Sequence, residues 1–275
     1  MPLISVDSLV ENLGDADWRV VDCRFELGAP EAGRRAWVRG HVPGAVYADL
    51  EEDLSGAVGP GTGRHPLPAS DDFVVRCRAW GISDATHVVA YDAVGGALAA
   101  SRLWWMLRDH GHERAYVLDG GWTAWVAADA PVERGALGVA PGAFTGTAGR
   151  LRAATAHEAF VAPVLLDARD PQRYRGDVET IDRVAGHIPG ALNLPHRALV
   201  GGDGRFLERA VLRARLTEAL AGREPAEVVA YCWSGVTACQ LVVAFEEAGL
   251  PGVRLYCGSW SEWIRDPTRP VARGG

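Results

Sequence analysis

Short apolar runs alternate with longer amphipathic ones along this chain. Residues 19–23, 87–91 and 115–118 have the length and β-branched content of buried strands, and 97–110 repeats its apolar positions at helical spacing. The second half shows the same alternation, with expected strands at 164–168, 227–232 and 253–257 and expected helices near 208–221 and 237–249. Such a pattern predicts an α/β fold, in which mainly parallel sheets are flanked by helices.

The alternation is a true internal repeat. Val20-Val21-Asp22-Cys23-Arg24 and Gly40-His41-Val42-Pro43-Gly44-Ala45 return, in order, as Leu165-Leu166-Asp167-Ala168-Arg169 and Gly186-His187-Ile188-Pro189-Gly190-Ala191. Val88-Val89-Ala90-Tyr91-Asp92 returns as Val228-Val229-Ala230-Tyr231-Cys232, and Gly121-Trp122-Thr123-Ala124-Trp125 as Ser259-Trp260-Ser261-Glu262-Trp263. Four matches in one order predict tandem copies of one domain. The Gly-, Ala- and Pro-rich stretch 136–150 has the composition of a linker, which sets an N-terminal domain at 1–135 and a C-terminal one at 151–275.

Composition narrows the chemistry. At 48% hydrophobic residues and 23% charged ones, 275 residues can bury two cores. A net charge of −7 without a basic stripe argues against nucleic acid. No apolar segment approaches the ~20 residues that span a bilayer, and the N-terminus does not read as a secretory signal, so a cytoplasmic protein with no membrane partner is expected. All 28 basic residues are Arg, which excludes a Walker-A phosphate loop, a lysine Schiff base and a pyridoxal-phosphate anchor. Five cysteines without CxxC spacing suit neither a disulfide framework nor a zinc site; neither metal nor organic cofactor is expected.

Cys232 ends an apolar strand, and Trp233-Ser234-Gly235-Val236-Thr237 leads straight into an amphipathic helix. A strand, a tight loop and a helix start point backbone N–H groups at whatever the strand-end side chain presents, an anion cradle that favours thiolate over thiol. A buried, inert strand-end cysteine is the competing reading. The run Cys232 to Ala238 resembles the active-site loop of the rhodanese superfamily, particularly the Cys-Gly-Ser-Gly-Val-Thr form of 3-mercaptopyruvate sulfurtransferases, and the likeness extends over nearly the whole chain. The resemblance implies two tandem rhodanese-like domains, an inactive N-terminal copy and a catalytic C-terminal one. Asp92 stands where the first copy would need its cysteine, and a carboxylate cannot carry a sulfane sulfur.

The resemblance also implies site residues. Cys232 is the nucleophile that becomes a persulfide, with Trp233, Gly235, Val236 and Thr237 forming its loop. Ser234 corresponds to a serine that relays a proton to the enolate leaving group, with His41 and Glu31 as candidate relay partners. For His41 and His187, a structural histidine packing the turn before Pro-Gly is the stronger reading. Arg173 and Arg183 match the arginines that clamp the substrate carboxylate, as bidentate guanidinium–carboxylate pairing would favour; Arg175 could replace either, and a solvated basic face is the weaker competing reading for each. His65 falls in a Gly- and Pro-rich loop with no assigned role.

The implied activity moves sulfur from a small-molecule donor to a thiol such as thioredoxin or a low-molecular-weight thiol, or to cyanide. The neutral loop residues Trp233 and Ser234 favour 3-mercaptopyruvate over dianionic thiosulfate, and thiosulfate sulfurtransferase is the alternative. Trp233 departs from the usual Gly and leaves the donor choice open. Phosphatases that share this fold need Arg six positions after the cysteine, where this chain has Ala238. A non-catalytic binding module is opposed by the presence together of Cys232, Ser234 and the arginines.

Overall fold

The computed structural model describes residues 1–93, 95–136 and 138–275. The chain divides into two compact units: Met1–Gly56, Leu67–Arg150 and Gly202–Phe206 form the first, and Ala57–Pro66, Leu151–Gly201 and Leu207–Gly275 the second.

The first unit runs β1 (Leu3–Ile4), α1 (Val6–Glu11), β2 (Trp18–Asp22), α2 (Glu31–Arg39), β3 (Val46–Tyr47), α3 (Ser70–Ala79), β4 (His87–Tyr91), α4 (Ala99–Asp109), β5 (Ala115–Leu118) and α5 (Gly121–Ala127). Its sheet has the order β1-β5-β4-β2-β3, every neighbour parallel. The second runs α6 (Ala156–Phe160), β6 (Val164–Asp167), α7 (Pro171–Arg175), β7 (Leu192–Asn193), a 3-10 turn at His196–Leu199, α8 (Arg209–Ala219), a 3-10 turn at Pro225–Glu227, β8 (Val228–Tyr231), α9 (Ala238–Glu247), β9 (Arg254–Leu255) and α10 (Ser259–Trp263). Its parallel sheet has the order β7-β6-β8-β9. The central strands, β4 after His87 and β8 throughout, are runs of buried residues because helices cover both sheet faces.

The repeated Asp-x-Arg and Gly-His-x-Pro-Gly segments build the same buried joint twice. Arg24 donates to Asp22 at 2.5 Å and to the Gly40 carbonyl at 2.6 Å; Arg169 donates to Asp167 at 2.6 Å and to the Gly186 carbonyl at 2.8 Å. Pairing with the aspartate makes each buried guanidinium tolerable. The following helix closes the joint, since Arg24 lies 4.4 Å from the Trp122 ring centroid and Arg169 lies 4.8 Å from that of Trp260.

The stretch 136–150 lies along the first unit. Gly142 N–H donates to the Arg78 carbonyl, Arg78 to the Phe144 carbonyl, and Thr145 to Asp84; Phe144 is buried, while Leu137 lies outside the described residues. Its bonds run to loop ends and side chains, so it shows no hydrophobic period.

Candidate active site

Strand β8 delivers Cys232 to the carboxyl edge of the second sheet, where the thiol is 1% exposed. The α10 start holds the cysteine backbone: Cys232 N–H donates to Ser259 Oγ at 3.1 Å, and the Cys232 and Trp233 carbonyls accept from the Trp260 and Ser261 amides at 3.1 and 2.9 Å. The Gly258–Trp263 segment is therefore the buttress of the loop. Gly235 has φ +75°, and a Cβ there would come within 2.1 Å of the Cys257 carbonyl oxygen, so only glycine fits this turn.

The loop then enters α9. Among the described residues, the amides of Ser234, Val236, Thr237 and Ala238 donate to no protein acceptor. The first unit shows what such a loop holds. Asp92, fully buried at the end of β4, accepts from the Gly96 amide at 2.9 Å through Oδ1, and from the Leu98 and Ala100 amides at 3.0 and 3.1 Å through Oδ2. Gly96 and Leu98 are the repeat counterparts of Val236 and Ala238. In one copy an anionic side chain fills the cradle, and in the other the cradle opens on a thiol.

A cavity of about 90 Å³ lies at Cys232, lined also by Arg169, Arg173, His196, Trp233 and Thr237. A second, larger pocket of about 480 Å³ is lined by Arg64, Asp182, Arg183, Ser261 and Arg265 among others. Trp233 connects the two groups: the Arg64 guanidinium lies 4.2 Å and that of Arg173 4.6 Å from its ring centroid, and its indole N–H donates to Asp182. Asp182 also pairs with Arg64 at 2.8 Å, and Arg173 pairs with Glu179. Burial pushes the Glu179 carboxyl up, but hydrogen bonds from the Asp182 and Ile181 amides and from Arg173 outweigh it and hold the group below the usual carboxylate range.

Ser234, 3% exposed, places its hydroxyl 2.7 Å from His65 Nδ1. His65 lies 169 residues earlier, in the 57–66 segment that groups with the second unit. Its only sequence signal was two ionisable side chains, Arg64 and His65, in a Gly- and Pro-rich loop.

The other expected residues divide. Arg173 borders the Cys232 cavity, whereas Arg183 borders the larger pocket and donates to the Ile264 carbonyl at 2.8 Å. Arg175 is half-exposed and pairs with Asp177 at 2.8 Å. His41 and Glu31, the other candidate relay partners, both lie in the first unit. His41 is buried in the first unit with Nδ1 on the Trp37 carbonyl at 2.8 Å, as its repeat twin His187 sits on the Tyr174 carbonyl at 2.7 Å, because both histidines anchor the turn before Pro-Gly to the preceding helix. Glu31 is exposed at the start of α2. The histidine against Ser234 is His65.

Comparison with known proteins shows the family. The rhodanese-like domain model matches twice, at residues 5–128 and 147–266. The chain is 47% identical over 279 residues to the "Probable 3-mercaptopyruvate sulfurtransferase" of Pseudomonas aeruginosa, covering 99% of this chain and 98% of that one. It is 33% identical to bovine thiosulfate sulfurtransferase over 90% of this chain and 84% of that one. The structure of 3-mercaptopyruvate sulfurtransferase from Leishmania major superposes with a TM-score of 0.88 at 32% identity, over 98% of this chain and 75% of that one. No helix among the described residues is long and apolar enough to cross a membrane. With two matched domains, one ending its central strand in Cys232 and the other in Asp92, the chain belongs to the tandem rhodanese-domain sulfurtransferases.

Proposed function

We propose that Cys232 takes a sulfane sulfur from 3-mercaptopyruvate and hands it to a thiol, such as thioredoxin or a small thiol, or to cyanide. The Cys232 thiolate attacks the donor sulfur, the carbon–sulfur bond breaks with its electron pair going to carbon, and the sulfur stays on Cys232 as a persulfide. The pyruvate enolate takes a proton from the Ser234 hydroxyl, which recovers one through His65, while the donor thiol's proton is released to the site. The open amides of Ser234, Val236, Thr237 and Ala238 stabilise both thiolate and persulfide anion. Arg173 and Arg183 supply positive charge for the donor carboxylate. A cytoplasmic setting, where thiols stay reduced, suits five free cysteines.

The observation that carries this reading is the Ser234–His65 contact beside Cys232. An enolate leaving group needs a proton, whereas the sulfite that would leave thiosulfate does not. Thiosulfate remains the second reading, because several relatives, at up to 42% identity, carry that name. Steady-state rates with each donor, together with intact mass, test the assignment. A higher kcat/KM for 3-mercaptopyruvate and an adduct of about 32 Da, one sulfur, on Cys232 are expected. Preference for thiosulfate overturns the donor, and no adduct from either overturns the mechanism.

A further inference from the structure

The relay just described serves the donor half of the cycle and leaves two titratable groups at the Cys232 cavity without a task, Asp170, which pairs with Arg197 at 3.5 Å, and His196. His196 opens the 3-10 turn after β7, and its backbone N–H donates to the Ala168 carbonyl at 3.0 Å. His196 borders the same cavity of about 90 Å³ as Cys232, Arg169, Asp170, Arg173 and Thr237. That space is equivalent to about three waters, so a sulfur atom on Cys232 and an incoming acceptor atom would fill it and meet its walls.

The ring is oriented by α9. His196 Nδ1 lies 3.1 Å from Gln240 Oε1, and Gln240 is fully buried. An amide oxygen accepts, so Nδ1 carries the proton and Nε2, at the opposite ring edge, keeps its lone pair. Among the described residues Nε2 has no protein partner. The charged neighbours are Arg197 beside the turn, and Asp170, Arg169 and Arg173 around the cavity. Burial pulls the His196 pKa down and Arg197 adds to this, outweighing Asp170 and Gln240, so the ring is a neutral base at pH 7.

We infer that His196 is the general base of the second half-reaction, taking the proton from an acceptor thiol as its sulfur attacks the Cys232 persulfide. This rests on the persulfide reading above. In the step, a bond forms between the acceptor sulfur and the outer persulfide sulfur, and the bond from that atom to Cys232 Sγ breaks. The electron pair returns to Cys232 as thiolate, the acceptor proton goes to His196 Nε2 and then to water, and the acceptor leaves as its own persulfide. A thiol is mostly protonated at neutral pH and attacks only as thiolate, and a positioned base removes that barrier. Two histidines then divide the cycle, His65 through Ser234 for the donor and His196 for the acceptor.

The test loads the wild-type protein, H196N and H196F with donor, confirms the Cys232 adduct by intact mass, and follows its discharge in single turnovers. One acceptor is 2-mercaptoethanol, which must lose a proton; the other is sulfite, whose sulfur lone pair attacks without losing one. At pH 7 both variants should slow discharge to the thiol about tenfold or more relative to discharge to sulfite, a modest share of general-base effects of 10²–10⁴-fold. The gap should close as pH rises past the thiol's own ionisation. H196N keeps an N–H for Gln240, so a packing defect would show in H196F alone. Equal slowing with both acceptors, or no slowing, overturns the inference while leaving the persulfide intact. Absence of the adduct in wild type overturns the persulfide reading itself and the inference with it.

Discussion

The two copies of this domain end their central strands at equivalent points and do opposite things there. In the first, Asp92 brings its own anion to the loop and ties three amides, from Gly96, Leu98 and Ala100. In the second, Cys232 stands below a loop whose Val236 and Ala238 amides are left for a charge that comes and goes. The Asp-x-Arg joint is retained in both. A loop that binds an anion is thus a structural asset of the fold when filled permanently, and a catalytic one only when the anion is a transferable sulfur.

The sharpest way to break this comparison is Cys232→Ser, which keeps the strand end but cannot carry sulfane sulfur. Turnover with either donor should fall at least about 10³-fold, with the circular dichroism spectrum unchanged; residual sulfur transfer would disprove the assignment. Next comes Ser234→Ala, expected to lower kcat with 3-mercaptopyruvate about 10²-fold and thiosulfate turnover far less. Equal losses would mean that Ser234 shapes the loop rather than relaying a proton.

Asp92→Ala asks the converse question of the first copy. It strands three buried amides, and with charge-assisted bonds worth ~1.5–3 kcal/mol each and not additive, stability should drop by about 3 kcal/mol in urea. Sulfur transfer per folded molecule should be unchanged; a matching loss of kcat would give Asp92 a role in catalysis.

The smallest effect is expected at Glu179, which holds Arg173 beside the Cys232 cavity. Its pKa is depressed on folding, so it stabilises the fold above its unfolded value near ~4.3, and that contribution is lost as pH falls through the lower folded value. Glu179→Gln should therefore cost about 1 kcal/mol at pH 7 and converge with wild type in acid. Freed from its partner, Arg173 should also lower KM for 3-mercaptopyruvate about two- to threefold, as a charge-assisted hydrogen bond to the donor carboxylate would. Parallel pH–stability curves would deny the ion pair its role.

Local pattern carried much of this in advance. The apolar strand runs at 87–91 and 228–231 were legible because both sheet faces are covered, and Cys232 and Asp92 were legible because each directly follows such a run. The repeat also flagged His41, but repetition marks shared architecture as readily as shared chemistry, and its twin His187 makes the same helix contact. Arg175 and Arg173 sit one turn side apart on α7, and only the direction in which each leaves the helix separates an ion pair on the surface from a wall of the cavity.

By itself the sequence determined the fold class, the tandem repeat and the placing of Cys232 and Asp92 at equivalent strand ends, since each depends on neighbours within a few residues along one strand, loop or helix. Tertiary structure alone decided that His65 meets Ser234, that Arg64 and Arg173 flank Trp233 over Asp182, and that His196 borders the Cys232 cavity. Those contacts join segments far apart in the chain. The folded path of the backbone sets their geometry, and the spacing of residues does not encode it.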